Sequence, residues 1–144
     1  STGDVITPGE VRYDYPLLLE NKSIQLWSYN LETILAEKIQ TILSRGLLNT
    51  RMRDFYDVTT LFDRYNDSIN YNDLSLAFDK TCRKRKTLSV LEHYEEILCS
   101  ISEDSTLQNL WKNYCRKYKY ASHIEFSTNI EILIHLMNQI LAIE

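Results

Sequence analysis

A lysine and an aspartate stand where this sequence otherwise places apolar residues. In the stretch LETILAEKIQTILSRGLLNTRMRDFYDVTTLF, Leu31 to Phe62, apolar side chains recur at helical spacing. At about 100° per residue, Lys38 falls between Ile34 and Ile42, with Leu31 and Leu35 on the same side. Its Cα is therefore expected to face the core. Asp54 aligns in the same way with Val58, Leu61 and Tyr65, and Asp57 sits at the border of that stripe. An ammonium or carboxylate buried alone is expensive, so each needs a partner or a route to water. Two helices joined by a tight turn would bring Lys38 and Asp54 to a shared cleft. There a lysine can hold a polyphosphate oxygen, while a carboxylate can orient that lysine, accept a proton or help hold magnesium. The plainer alternative gives each residue a structural task. Lys38 would extend its charged tip past its aliphatic stem, and Asp54 would stabilise the first turn of its helix through the dipole.

The elements that position these residues read as helices. Asn30 is placed to cap the first, Leu31, Ile34, Leu35, Ile39, Ile42 and Leu43 form its stripe, and Gly46 marks its end. A second helix carries Phe55, Val58, Leu61, Phe62 and Tyr65. Leu74, Ala77, Phe78 and Cys82 predict a third, and Leu91, Tyr94, Ile97, Leu98 and Ile101 a fourth. Ser105 followed by Gln108, and Thr128 followed by Glu131, have the capping-box spacing that opens two more. The fifth shows Leu107, Leu110, Trp111, Tyr114 and Tyr118, and the last, NIEILIHLMNQILAI, is apolar nearly all round. Such a helix belongs at the centre of the fold or against a partner.

Residues 1–30 read differently, with both prolines and two of the three glycines among Val, Ile, Tyr and Trp, which suggests short strands and turns. The expected architecture is mainly α: an antiparallel bundle of about six helices over residues 31–144, preceded by a small N-terminal β element.

Composition narrows the functions. A chain of 144 residues with 44% hydrophobic content suits one domain with a real core. No apolar run reaches the ~18 residues of a membrane span and no charged-then-apolar leader opens the chain, so a soluble, unexported protein is expected. Cys82, Cys99 and Cys115 are widely spaced at apolar helical positions and read as free, buried thiols of a reducing cytoplasm. His93, His123 and His135 share no zinc-ligand spacing. The net charge of −4 gives no sign of nucleic acid, but basic residues bunch at Arg45/Arg51/Arg53, at Arg83 to Lys86 and at Lys112/Arg116/Lys117/Lys119. Only their convergence in space would make a phosphate-binding surface. The strip WKNYCRKYKY could stack on RNA bases and meet phosphates, or could be a core stripe backed by a solvated basic face. There is no Gly-x-Ser-x-Gly elbow, His-Glu-x-x-His or Walker loop, so a self-contained hydrolase has no support.

SYNLETILAEKIQTILSRG followed by NTRMRDFYDVTTLF resembles the later motifs of the AbiEii-type toxins, the nucleotidyltransferase-like half of a bacterial toxin–antitoxin and abortive phage-infection system. The matching positions are Glu32, Leu35, Ala36, Glu37, Lys38, Arg45, Arg53, Asp54 and Asp57. GDVITP and the region from Trp111 to Tyr120 are also similar, and the likeness is dense from Gly3 to about Phe62 and thinner beyond.

The resemblance implies an active-site role for Lys38 and Asp54 beside a triphosphate or its metal. Asp57 is a further catalytic candidate, and Arg45 and Arg53 join Lys38 as nucleotide-binding candidates. It implies magnesium in the full-length protein, none bound to this chain and no metal ligand within it. It further implies nucleoside triphosphate as substrate, tRNA as a candidate acceptor, an antitoxin partner and a cytoplasmic setting, and the missing apolar run adds the expectation of no membrane association.

The family's Gly-Ser turn and Asp-x-Asp or Asp-x-Glu carboxylate pair do not occur here. The expectation is a C-terminal portion, with residues 1–30 a remnant of or link to a missing nucleotidyltransferase core, and inactive alone. The competing expectation is a non-catalytic helical module that docks an antitoxin, a partner subunit or itself. Nucleotide identity, acceptor and oligomeric state stay open at this level.

Overall fold

The computed structural model describes residues 30–142 and the backbone of two strands, β1 (Tyr13–Leu17) and β2 (Lys22–Leu26). The strands form an antiparallel pair in which Tyr13 faces Leu26 and Leu17 faces Lys22. The turns expected elsewhere in residues 1–29 lie outside the described residues.

Six helices follow: α1 (Leu31–Arg45), α2 (Met52–Tyr65), α3 (Tyr71–Arg85), α4 (Val90–Glu103), α5 (Ser105–Lys117) and α6 (Phe126–Ala142). The described residues are thus mainly α, an antiparallel bundle preceded in sequence by the paired strands. Local chemistry sets the helix ends. Asn30 Oδ1 accepts the Thr33 amide at 2.9 Å, which satisfies one of the donors a helix start leaves open. Gly46 closes α1 at φ +53°, a conformation that favours glycine.

Two starts differ from the spacing argument. Asp104, not Ser105, caps α5, its carboxylate accepting the Leu107 amide at 2.9 Å, while the Gln108 side chain turns back to the Ser102 carbonyl. The last helix begins at Phe126, two residues before the Thr128 start, because the Thr128 amide is already engaged by the Glu125 carbonyl at 3.0 Å.

The end of α3 carries a non-glycine in the left-handed region, Lys86 at φ +58°. Its exposed side chain gains nothing obvious there, so Lys86→Gly is expected to raise stability by about 0.5 kcal/mol, read from the urea midpoint. A loss of stability instead would show that the lysine side chain contributes more than its backbone strain costs.

The core is continuous across all six helices. The first helix lies along α3, α2 packs on α6, and α6 also touches α3 and α4. The last helix therefore takes the central place, burying Ile130, Leu133, Leu136, Met137 and Ile140 while Ile134 stays exposed. Buried polar atoms mark how the bundle is registered: Thr59 on α2 donates its hydroxyl to Asn129 Oδ1 on α6. Ser75 on α3 donates to the Ile140 carbonyl at 3.0 Å.

All three cysteines are free thiols, but only one is fully buried as expected. Cys82 is enclosed, and burial pushes its thiol up to about 11. Cys115 is half-buried and Cys99 is exposed on the outer side of α4, where an apolar spacing in the sequence does not correspond to the packed face. Among the described residues no helix is long and apolar enough to cross a membrane.

Candidate functional site

A groove of about 250 Å³ runs between α1 and the amino end of α2. One face of α1 supplies Ile34, Glu37, Lys38, Thr41 and Arg45, and the start of α2 supplies Arg51 and Asp54. The α1 residues recur at three- and four-residue steps, so a single helix face presents them together. The groove is smaller than the ~300–1,000 Å³ of a pocket that encloses a whole drug-sized ligand. It suits a chain of phosphates better than an entire nucleotide.

The Lys38 ammonium does not go to Asp54. It donates to Asp57 Oδ2 at 2.8 Å, with the lysine side chain 24% exposed and the aspartate 1%. Arg53 Nε stands 3.6 Å from the same oxygen. Asp57, placed at the edge of the stripe by the helical wheel, is thus the buried centre of the charge cluster. The reason lies in the approach of the two helices, which sets the Asp57 carboxylate, one turn beyond Asp54, against Lys38.

Asp54 is also buried, but its Oδ1 faces Arg51 Nη2 at 4.0 Å, and its Oδ2 has no hydrogen-bond partner among the described residues. Asp57 Oδ1 is likewise without a hydrogen-bond partner among the described residues. Burial pushes the Asp57 carboxyl above the usual aspartate range, and Lys38 and Arg53 only partly pull it back.

Of the expected site residues, Lys38, Arg45 and Asp54 line the groove, while Asp57 and Arg53 stand behind the Lys38 ammonium. Arg51, Glu37 and Thr41, outside the expected set, line it as well. The signal for Glu37 and Thr41 was the helix face that carries Lys38, and for Arg51 its place ahead of Asp54.

One residue from a distant basic block also arrives. Arg85, at the end of α3, donates to Gln40 Oε1 and to Thr41 Oγ1, the latter at 3.1 Å, which fixes a further cation at the rim. The blocks around Arg45 and Arg83–Lys86 therefore converge in part. Lys38, Arg45, Arg51, Arg53 and Arg85 outnumber Glu37, Asp54 and Asp57, which leaves the groove electropositive.

Tyrosines stand next to Asp57 on the other side. Tyr56 and Tyr120 have ring centroids 4.9 Å apart, and the hydroxyls of Tyr114 and Tyr120 are 3.1 Å apart. Burial first, then Tyr120 and the negative charge of Asp57, pushes the Tyr114 hydroxyl far above its ordinary range, so it remains a neutral donor. The aromatic half of WKNYCRKYKY belongs to this packing: Trp111 is buried, stacks on Tyr114 at 5.4 Å and donates Nε1 to the Ile124 carbonyl at 2.9 Å. Its basic half, Lys112, Arg116, Lys117 and Lys119, is exposed.

No group of three or more His, Cys, Asp or Glu side chains among the described residues could hold a metal ion. The one shared carboxylate oxygen, Asp57 Oδ2, already faces two cations. The described residues alone therefore do not fit magnesium, which takes several hard oxygen ligands.

Fold and groove together define a helical domain with a cation-lined, phosphate-sized cleft at the junction of its first two helices. Over residues 1–130 the sequence matches the family model described as nucleotidyl transferase AbiEii toxin, type IV toxin–antitoxin system. The chain belongs to that family. Comparison with curated proteins and with solved structures gave no match.

Proposed function

We propose that the groove between α1 and α2 holds the polyphosphate of a nucleoside triphosphate, as this chain's share of a nucleotidyltransferase active site. The observation that carries this reading is the Lys38–Asp57 contact at 2.8 Å in a groove also lined by Arg45 and Arg51. A lysine tip otherwise samples many rotamers, and a carboxylate fixed inside the bundle holds it in one. Asp57 is in this account a positioning residue. Lys38 and Arg51 would face phosphate oxygens directly, with Arg45 farther along the groove and Arg53 helping to neutralise Asp57. Asp54 would act on the ligand through Arg51, whose guanidinium its Oδ1 faces at 4.0 Å, because its unpartnered Oδ2 is enclosed in the bundle. The family supports nucleotidyl transfer as the reaction. The remaining parts of the reading are a second, N-terminal domain that completes the cleft and carries the metal ligands, tRNA as acceptor, an antitoxin partner and a bacterial cytoplasmic setting.

Calorimetric titration of the full-length protein with a nucleoside triphosphate and with tripolyphosphate tests it. Lys38→Ala is expected to weaken both at least about tenfold, the size of a lost charge-assisted contact. Asp57→Asn should weaken them in a protein that stays folded, and the isolated chain should bind weakly. Unchanged affinities in Lys38→Ala would remove the proposal.

One observation favours the interaction module as a second reading. Leu47 and Leu48, in the turn after α1, are 49% and 86% exposed, an uncommon place for consecutive leucines. Under that reading, Leu48→Glu abolishes association with a partner protein and leaves triphosphate binding intact.

A further inference from the structure

A second and larger cavity, about 630 Å³, opens between α5 and the amino end of α6. None of the groove residues lines it. Its volume falls within the ~300–1,000 Å³ range of small-molecule sites. The apolar part of its lining comes from Trp111, Ile124 and Phe126, and its polar edge from Lys112 and Arg116, one helical turn apart on α5. Glu125 is the single carboxylate among the lining residues.

The indole is already immobilised. Its Nε1 donates to the Ile124 carbonyl at 2.9 Å, and its ring lies 5.4 Å from Tyr114 and 6.2 Å from Phe126. Trp111 is only 3% exposed, so the ring open to a ligand is that of the half-buried Phe126, which the indole holds in place and which therefore loses little side-chain entropy on binding. Lys112 and Arg116 are both exposed, and residues four apart on a helix lie about 5–6 Å from each other. Their tips can therefore approach two oxygens of one phosphate. Cys115 also lines the cavity, but burial raises its thiol, which keeps it protonated and suits non-covalent binding.

We propose that this cavity binds a small phosphorylated aromatic compound, its ring against Phe126, on which Trp111 packs from within, and its phosphate between Lys112 and Arg116. The site is separate from the Lys38 groove and does not depend on the function assigned to it. Trp111 is also its reporter, because Trp27→Phe leaves it the only tryptophan.

In the Trp27→Phe protein, titration with adenosine monophosphate should change Trp111 emission saturably. Inorganic phosphate and adenosine, each alone, should do so only at concentrations about tenfold higher or more. The double reversal Lys112→Glu/Arg116→Glu should weaken the response to the monophosphate at least about tenfold, with helical circular dichroism unchanged. Lys38→Ala should leave it as it was. Absence of a saturable change overturns the proposal, as does a response equally lost in Lys38→Ala or indifferent to the charge reversal. A response to phosphate alone that matches the full ligand would reduce the cavity to a simple anion site and overturn the aromatic part. If the double reversal unfolds the protein, Lys112→Gln and Arg116→Gln, made singly, replace it with the same expectations of sign.

Discussion

Lys38→Ala is expected to lower stability by about 2 kcal/mol near neutral pH, and by much less near pH 4. Removing one partner of a buried pair usually costs more, about 3–5 kcal/mol, but Lys38 is a quarter exposed and Arg53 remains, so the lower figure applies. The pH dependence follows from Asp57. Its carboxyl in the folded protein lies above the ordinary aspartate value, because burial outweighs the pull of Lys38 and Arg53. The folded state thus binds that proton more tightly than the unfolded chain does. The stability linked to it is fully present below the unfolded value and is lost as pH rises through the raised folded one.

Taking Lys38 away removes the larger of the two favourable charges, moves the folded value further up and widens the interval over which stability is lost. Below that interval Asp57 is protonated in both states, and only the packing of the lysine stem is missing. Urea unfolding of both proteins at the two pH values measures this, and an equal loss at both would show that Lys38 does not compensate a buried charge. Asp57→Asn removes the charge that burial penalises and keeps the shape. It should stay within about 1 kcal/mol of the parent near neutral pH, which makes it the cleaner variant for binding experiments.

Phe55→Ala should have the largest effect on the fold, about 4 kcal/mol, because it leaves a cavity where a fully buried ring was. Phe55 has no exposed surface, and its centroid is 5.4 Å from that of Phe126. It sits between Asp54 and Asp57 on α2, so the same ring that ties α2 to α6 also sets the depth of both carboxylates. Thermal unfolding is expected to shift down by about 10 °C for a chain of this size. A shift near zero would mean that the pocket collapses without disturbing α2, and that Asp57 is held by other contacts.

The sequence disclosed the helices because period and caps agree at most of their ends: Asn30 and Gly46 bound α1 as their chemistry requires. Ser105 and Gln108 imitate a capping box one residue after Asp104, and a carboxylate can serve the same amide as well as a hydroxyl. Cys99 fell on an apparently apolar row that faces away from the neighbours of α4, and only packing decides which row is covered. At the site, a helical wheel shows which residues turn inward on one helix. It cannot show how far along a neighbouring helix their partners lie. Lys38 is therefore legible as an inward charge, whereas the choice of Asp57 over Asp54 as its partner is set by the packing of the two helices. Arg85 was out of reach for a similar reason: forty-four positions separate it from Thr41, and no local pattern links them.

The most direct measurement is a pair of double-mutant cycles on unfolding free energy, Lys38→Ala with Asp57→Asn and Lys38→Ala with Asp54→Asn. The first pair should couple by about 1–2 kcal/mol and the second by less than about 0.5 kcal/mol. Coupling to Asp54 with none to Asp57 would contradict the arrangement in which a carboxylate inside the bundle aims the lysine at the groove.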